Sequence, residues 1–387
     1  MGAAGSPPSP PAPPEFWTGV RLTDPPVTYG RWGPASFRIT DVHFWNDRYV
    51  ASGTDDGVEG REAIFLVSND GEHWDVTDEQ ASHGAVPSCV VGTSDRLLAV
   101  SLQGGPAAGL WSSIDGFDWQ AVDSPTWANA WSDGTPRAVA DGPAGYVAVG
   151  VSGSGPDTKA VVARSTDGRA WTLIDQPDVF QDASPHDVAA FPGGYAIAGT
   201  SADPSSQEGA AIAVWISSDG SAWRRAGVEQ TPAETGTIRL LVGKDGLALM
   251  SSEPDSWLGT VHVTVTLASV DGSIWRPVDE PWSRLTEPLA FGDNPPVRAK
   301  TFAADGTRMV VLGLSPEAMP LAWVSTGGTT WDELSVLSGG SELYDSWPPI
   351  PESLAIAPGG FVLWETLQCD PGVWCGMSFA AGTAVGD

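Results

Sequence analysis

Ser217-Ser218-Asp219-Gly220-Ser221-Ala222-Trp223 is one of six near-copies of a single pattern, SxDGxxW, in a chain of 387 residues. The others are SNDGEHW (Ser68 to Trp74), SIDGFDW (Ser113 to Trp119), STDGRAW (Ser165 to Trp171), SVDGSIW (Ser269 to Trp275) and STGGTTW (Ser325 to Trp331). Successive aspartates, Asp70, Asp115, Asp167, Asp219 and Asp271, lie 45, 52, 52 and 52 residues apart, and Gly327 takes the Asp place 56 residues later. A fixed period of this length marks a tandem repeat. Each copy sits between a short apolar run, such as AIFLVS or AVWIS, and a run that begins with Trp, so it reads as the turn of a β-hairpin. The chemistry suits that place. The carboxylate accepts from the N–H groups of the turn, Gly supplies the left-handed residue, Ser adds a local bond and Trp covers the hairpin with a large ring.

Working outward from the boxes, a β-rich run precedes each one: YVASGT from Tyr49, LLAVSL from Leu97, YVAVGVS from Tyr146, YAIAGTS from Tyr195, LALMSSE from Leu247 and MVVLGLS from Met309. FVLWETL from Phe361 makes a seventh. Each of these b runs follows another short strand, a, and a tight turn, as in SLAIAPGG before Phe361. The repeat is therefore four strands: a, b, c leading into the box, and d opening with its Trp. The seventh unit runs out of chain after a c strand near Met377 to Thr383, and residues 15–21, with Phe16-Trp17-Thr18, resemble a d strand. The expected fold is all-β: a seven-bladed β-propeller of four-stranded antiparallel blades, closed by the N-terminal strand in the last blade, with six blades as the alternative. Residues 1–14 read as a tether and 15–387 as one domain.

The SxDGxxW boxes resemble the Asp-box, or BNR, repeat of the sialidase-like β-propellers, in a variant one residue shorter between Asp and Trp. The resemblance implies that the box joins the third and fourth strands of each blade, and it brings no catalytic residue with it. Phe37-Arg38-Ile39-Thr40 is similar to the sialidase FRIP signature, whose arginine grips a substrate carboxylate, and Tyr344 with Glu342 or Asp345 could be matched to its late nucleophile pair. Thr40 replaces the Pro and the other arginines have no motif, so the resemblance points to the fold more than to sialidase activity.

Composition narrows the classes. The net charge is −29 with 19 Lys+Arg against 48 Asp+Glu, which repels phosphate backbones and anionic lipid and disfavours nucleic-acid and membrane-surface roles. No apolar run approaches the ~18 residues of a membrane span. The opening MGAAGSPPSPPAPP reads as a Pro-rich spacer of an exported or lipid-anchored protein, which predicts an extracytoplasmic location. Of three cysteines, Cys89 lies in an apolar strand, while Cys369 and Cys375 flank the turn-forming DPGVW and could bridge in an oxidising compartment. No zinc spacing, GxSxG, HExxH or EF-hand loop is present, so no cofactor or metal is expected, and the chain is expected to be a monomer.

In this topology the boxes and a-to-b turns lie on one face and the longer d-to-a and b-to-c loops on the other. The second face carries Trp127, Trp131, Trp257, Trp282 and Trp347, which either stack sugars or plug loops against the blades. Counting back nine residues from each b run gives Thr40, Ser88, Arg137, His186, Ile238, Lys300 and Glu352, with Arg38 and Arg298 two residues earlier on their strands. Several cations at one channel mouth, in a chain that has few, point to a funnel for an anionic group. The function expected is binding of a saccharide or anionic small molecule or polymer on that face. The alternatives are a glycoside hydrolase or polysaccharide lyase acting at the mouth with Arg38, Arg137, His186 and Glu352, and a protein-interaction scaffold.

Overall fold

The computed structural model describes residues 19–22, 37–57, 60–71, 73–77, 86–93, 95–101, 109–153, 158–202, 210–229, 237–255, 260–278, 281, 298–314, 320–338, 353–357, 360–370 and 373–385, and for some strand residues the backbone alone. β1 (Gly19–Leu22) comes first. The first unit is β2 (Phe37–Trp45), β3 (Arg48–Gly57), β4 (Gly60–Ser68) and β5 (Asp75–Val76). The second is β6 (Cys89–Thr93), β7 (Arg96–Val100), β8 (Leu110–Ser113) and β9 (Gln120–Ala121). After α1 (Pro125–Ala130) come β10 (Gly134–Gly142), β11 (Gly145–Ser152), β12 (Lys159–Ser165) and β13 (Trp171–Leu173), then β14 (Ala183–Phe191), β15 (Gly194–Ala202), β16 (Ala210–Ser217) and β17 (Arg224–Arg225). β18 (Gly227–Val228) precedes β19 (Thr237–Gly243), β20 (Gly246–Asp255), β21 (Thr260–Ser269) and β22 (Ile274–Pro277). β23 (Arg298–Ala304), β24 (Met309–Leu314), β25 (Pro320–Ser325) and β26 (Asp332–Ser338) follow, and β27 (Ser353–Ala357), β28 (Gly360–Asp370) and β29 (Val373–Val385) end the chain.

The chain is an all-β propeller whose strands form six hydrogen-bonded sheets: four of four strands, one of five and one of eight. Seven separate blades were expected, and by this criterion there are six. The seventh unit exists as strands but shares its sheet with the sixth, in the order β23-β24-β25-β26-β1-β29-β28-β27. The join is the tail of β26. Its first residues pair antiparallel with β25, and its last four run parallel to β1, Ser335 opposite Gly19 and Ser338 opposite Leu22. The fifth strand of the five-stranded sheet arises by the same device, β18 running parallel to β22 as the tail of the preceding unit. β1 itself pairs antiparallel with β29, Gly19 opposite Val385, which is the N-terminal closure expected from the sequence. Trp17 lies outside the described residues.

The innermost strands touch in the cyclic order β2, β6, β10, β14, β19, β23, β27 and back to β2. Because side chains alternate across a strand, each inner strand feeds two inter-unit cores. Leu354 and Ile356 of β27 pack with Val310 and Leu312, while Ala355 and Ala357 pack with Ile39, Val42 and Ala51. That single strand therefore joins the last units to the first.

The boxes are the turns between c and d strands, and their geometry accounts for each residue. In Ser217–Trp223 the Ser217 hydroxyl accepts from Gly220 N–H at 2.9 Å, Asp219 Oδ1 accepts from Ser221 and Ala222 N–H at 2.8 and 3.1 Å, and Trp223 Nε1 donates to Gly220 O at 3.1 Å. The box glycines have φ between +71° and +84°. They also lie against the preceding unit: a Cβ on Gly220 would come within 2.8 Å of Val147 Cγ2. The sixth box keeps the Ser325 and Trp331 bonds without an aspartate. Trp119 is fully buried and stacks on Phe65 of the preceding unit, centroids 4.0 Å apart and planes within 9°.

Two segments read as loops are ordered otherwise. Residues 125–130 are helix α1, started by Ser124, whose hydroxyl accepts from Trp127 N–H, and by Pro125 in the first turn. The b-to-c connections are long hairpins in places, with Asp255 opposite Thr260 and Asp370 opposite Val373. The side chains of Cys369 and Cys375, on that last hairpin, lie outside the described residues.

Candidate functional site: the channel mouth

Each inner strand begins at the long-loop face and runs toward the box face. Four of them carry a β-bulge at an equivalent place: the register slips between Ile39 and Asp41, Pro136 and Ala138, Pro185 and Asp187, and Ala299 and Thr301. The extra residues are Thr40, Arg137, His186 and Lys300, four of the seven positions that the sequence count selects. A bulge leaves one residue out of the ladder and re-aims its side chain, which is why such residues gather near sites. Ile238 is regular, paired with Ser251, and wholly buried between units, so it is no part of the mouth.

The bulge residues reach to the next unit. Thr40 Oγ1 donates to Pro87 O. Arg137 Nη1 donates to Pro185 O and to Ser184 Oγ, both at 2.9 Å. The residue after the bulge does likewise in two units: Asp41 Oδ2 accepts from Val90 N–H at 2.7 Å, and Asp187 Oδ2 from Leu240 N–H at 2.8 Å. These carboxylates thus clamp one inner strand to its neighbour. Register puts Asp41 opposite Ser52, Cys89 opposite Val100, Asp187 opposite Ala198 and Arg239 opposite Met250, the same level in each unit.

All four of these side chains are half-buried. Loss of water raises the Asp41 carboxyl to about 7, against the pull of the Val90 and Val42 N–H groups and the Arg239 charge. Burial raises Asp187 also, opposed by Arg239. Cys89 is pushed up by burial and by both aspartates, so it is an inert thiol at neutral pH. His186 is lowered to about 4 by burial and by Arg137 and Arg239, and stands neutral between two cations. His43, one turn of the pleat deeper than Asp41, is lowered to about 4 by burial alone. No group of three or more His, Cys, Asp or Glu able to hold a metal occurs among the described residues.

Arg137 and His186 lie on neighbouring inner strands, within electrostatic reach of each other. Arg38 and Arg298 lie at one level of the inner strands, opposite Thr54 and Leu314, with their side chains and that of Lys300 outside the described residues. Glu352, Trp257, Trp282 and Trp347 lie outside them too. Trp127 and Trp131 are a correction. Both are buried between the second and third units, Trp127 on α1 and Trp131 at its C-cap, with Trp127 4.9 Å from the Trp171 ring, so neither presents a face to a ligand. Their burial follows from α1, which turns both rings onto the apolar blade surface. Sequence reading missed Arg239, Asp41 and Asp187 because they fall one residue past the counted position; a bulge sets that offset for Asp41 and Asp187, while Arg239 follows Ile238 in unbroken register. A groove of about 520 Å³ opens on the opposite face beside the fifth box, lined by Val270, Asp271, Ile274, Arg276 and Thr329.

No family model matches the chain. No curated protein matches it either. Among solved structures it is similar to a polysaccharide lyase, Uly1, with a TM-score of 0.54 at 11% identity, covering 93% of this chain and 92% of that one. It is also similar to the β-propeller domain of the trilobed protease from Pyrococcus furiosus, with a TM-score of 0.50 at 9% identity over 93% and 97% of the two chains. A mutant Trypanosoma rangeli sialidase aligns at a TM-score of 0.40 and 13% identity over 96% of this chain and 59% of that one, too loosely to argue from. At such identities the likeness is one of architecture, and the architecture it shows is the β-propeller.

Proposed function

We propose that this protein is an extracytoplasmic, monomeric propeller that binds an anionic ligand, most simply an acidic saccharide, at the long-loop mouth of its channel. The observation that supports this reading is the bulge at Arg137 and His186. In a chain of net charge −29, a guanidinium is fixed by two hydrogen bonds beside an imidazole that stays neutral. A fixed guanidinium suits a carboxylate, and the neutral ring can donate to or accept from a sugar hydroxyl. Arg38, Arg298, Lys300 and Glu352 belong to the same proposed mouth, and Trp257, Trp282 and Trp347 are the remaining proposed sugar platforms.

The neutral His186 also favours a second reading, catalysis. An unprotonated imidazole beside a cation that can neutralise a uronate carboxylate matches the first step of a polysaccharide lyase, proton abstraction next to that carboxylate, with a base that burial and the same cations weaken. The lyase likeness is one of fold and lends no residue to it.

Calorimetry with a panel of acidic and neutral oligosaccharides tests the binding reading. Arg137→Gln is expected to weaken acidic ligands about tenfold or more and leave neutral ones unchanged. Absorbance of unsaturated uronate products tests the lyase. Binding without product assigns a binding protein, and product lost in His186→Ala assigns the enzyme. Partners recovered on the same face, with no saccharide bound, would favour the scaffold.

A further inference from the structure

The channel level just inside the mouth holds two aspartates and one arginine. Asp41 comes from the first unit, Asp187 from the fourth and Arg239 from the fifth, each at the same register position. The two carboxylates already clamp Val90 and Leu240 N–H. Arg239 stands within electrostatic reach of both, and of His186 on the neighbouring strand, which in turn feels Arg137. Arg137, His186 and Arg239 therefore lie on three consecutive inner strands, cation, neutral ring, cation.

We propose that Arg239 is a second anion-binding cation of the mouth, shared with Asp41 and Asp187 and surrendered to a ligand carboxylate in competition with them. The inference rests on the reading of the mouth as an anion site. It assigns the ligand class as a carboxylate-bearing sugar small enough to place its charged group over His186, with one guanidinium on each side. It also assigns Asp41 the part of competitor. Among the described residues the titratable or charged groups that interact with Asp41 are Cys89 on β6 and Arg239 on β19, with Asp187 on β14 at the same register level and His43 two residues along its own strand. His43 and Cys89 are neutral near pH 7, so the charge balance there is set by the other three. Because Asp41 ionises near neutrality, the field that Arg239 offers a ligand is stronger at pH 6 than at pH 8. Burial raises Asp187 as well, and Arg239 is the first of the influences that oppose it.

The test is calorimetry of the full chain with tetragalacturonate, and with uncharged cellotetraose as control, at pH 6 and pH 8. The wild type is expected to bind tetragalacturonate more tightly at pH 6. Asp41→Asn keeps an acceptor for Val90 N–H and is expected to bind about three- to tenfold tighter at pH 8, with the pH dependence reduced. Arg239→Gln is expected to lose about tenfold or more. A tighter Asp41→Asn is a gain that damage to the fold would not produce, so it decides the matter even if Arg239→Gln fails to fold. If Arg137→Gln weakens binding while Asp41→Asn and a folded Arg239→Gln match the wild type at both pH values, this inference falls and the mouth reading stands. If the wild type ignores tetragalacturonate, or Arg137→Gln binds it unchanged, both fall together.

Discussion

The same residue, aspartate, has opposite chemistry at the two ends of the ring. In the boxes, Asp115 accepts from Phe117 and Asp118 N–H at 2.9 Å and from Ser113, and these bonds hold its carboxyl below the usual range even against partial burial. In the channel, Asp41 accepts from backbone N–H groups too, yet desolvation outweighs them and lifts it to about 7. The box repeats six times and the channel level follows no such rule, being Asp, Cys, Ala, Asp and Arg in the first five units at positions 41, 89, 138, 187 and 239. What recurs builds the scaffold. What varies on that scaffold is free to carry specificity.

The largest expected break comes from the scaffold. Trp119→Ala removes a buried ring stacked on the preceding unit and should cost about 3–5 kcal/mol in chemical denaturation. A loss under about 1 kcal/mol would mean that the box tryptophans do not bind the units together.

The channel comes next. Asp41 has a folded value above its unfolded one, so its contribution to stability is full below about pH 4 and is lost as pH rises through about 7. His43 and His186, lowered to about 4, act in the opposite sense, costing stability as pH falls through 6.5 toward 4. Asp41→Asn should therefore remove on the order of 2 kcal/mol of the decline in stability between pH 5 and pH 8, read from melting temperatures across that range. An unchanged profile would place Asp41 in water.

Two glycines sharpen the comparison further. Gly220 and Gly306 both have positive φ, +74° and +81°, but only Gly220 would drive a Cβ against the preceding unit, while Gly306 has nothing within 4 Å. Gly306→Ala should cost about 1 kcal/mol of backbone strain, and Gly220→Ala about 1 kcal/mol more for the crowding. Equal losses would show that box glycines serve the turn alone.

The smallest effect is expected at Asp115→Ala, about 0.5 kcal/mol. Because its folded value is depressed, that loss should be present above about pH 4 and vanish as pH falls below it. The sixth box, which turns on Ser325 and Gly328 with Gly327 in the Asp place, already shows that the carboxylate refines the turn and does not make it.

The amino-acid sequence alone determined the local, periodic part of this molecule. Box, b run and turn could be read from Ser217–Trp223 and its copies because each depends on hydrogen bonds within a few residues, and the closing strand could be found because Phe16-Trp17-Thr18 resembles the other d strands. Tertiary structure decided the rest. Sheet count depended on parallel pairing between Ser335–Ser338 and Gly19–Leu22, far apart in the chain and bearing no motif. The fate of Trp127 and Trp131 depended on which way a six-residue helix turns them. The meeting of Asp41, Asp187 and Arg239 depended on the bulges before the two aspartates, on the regular pairing of Arg239 and on the closing of the ring, and none of these leaves a periodic trace because they are set by pairing and packing and not by local propensity.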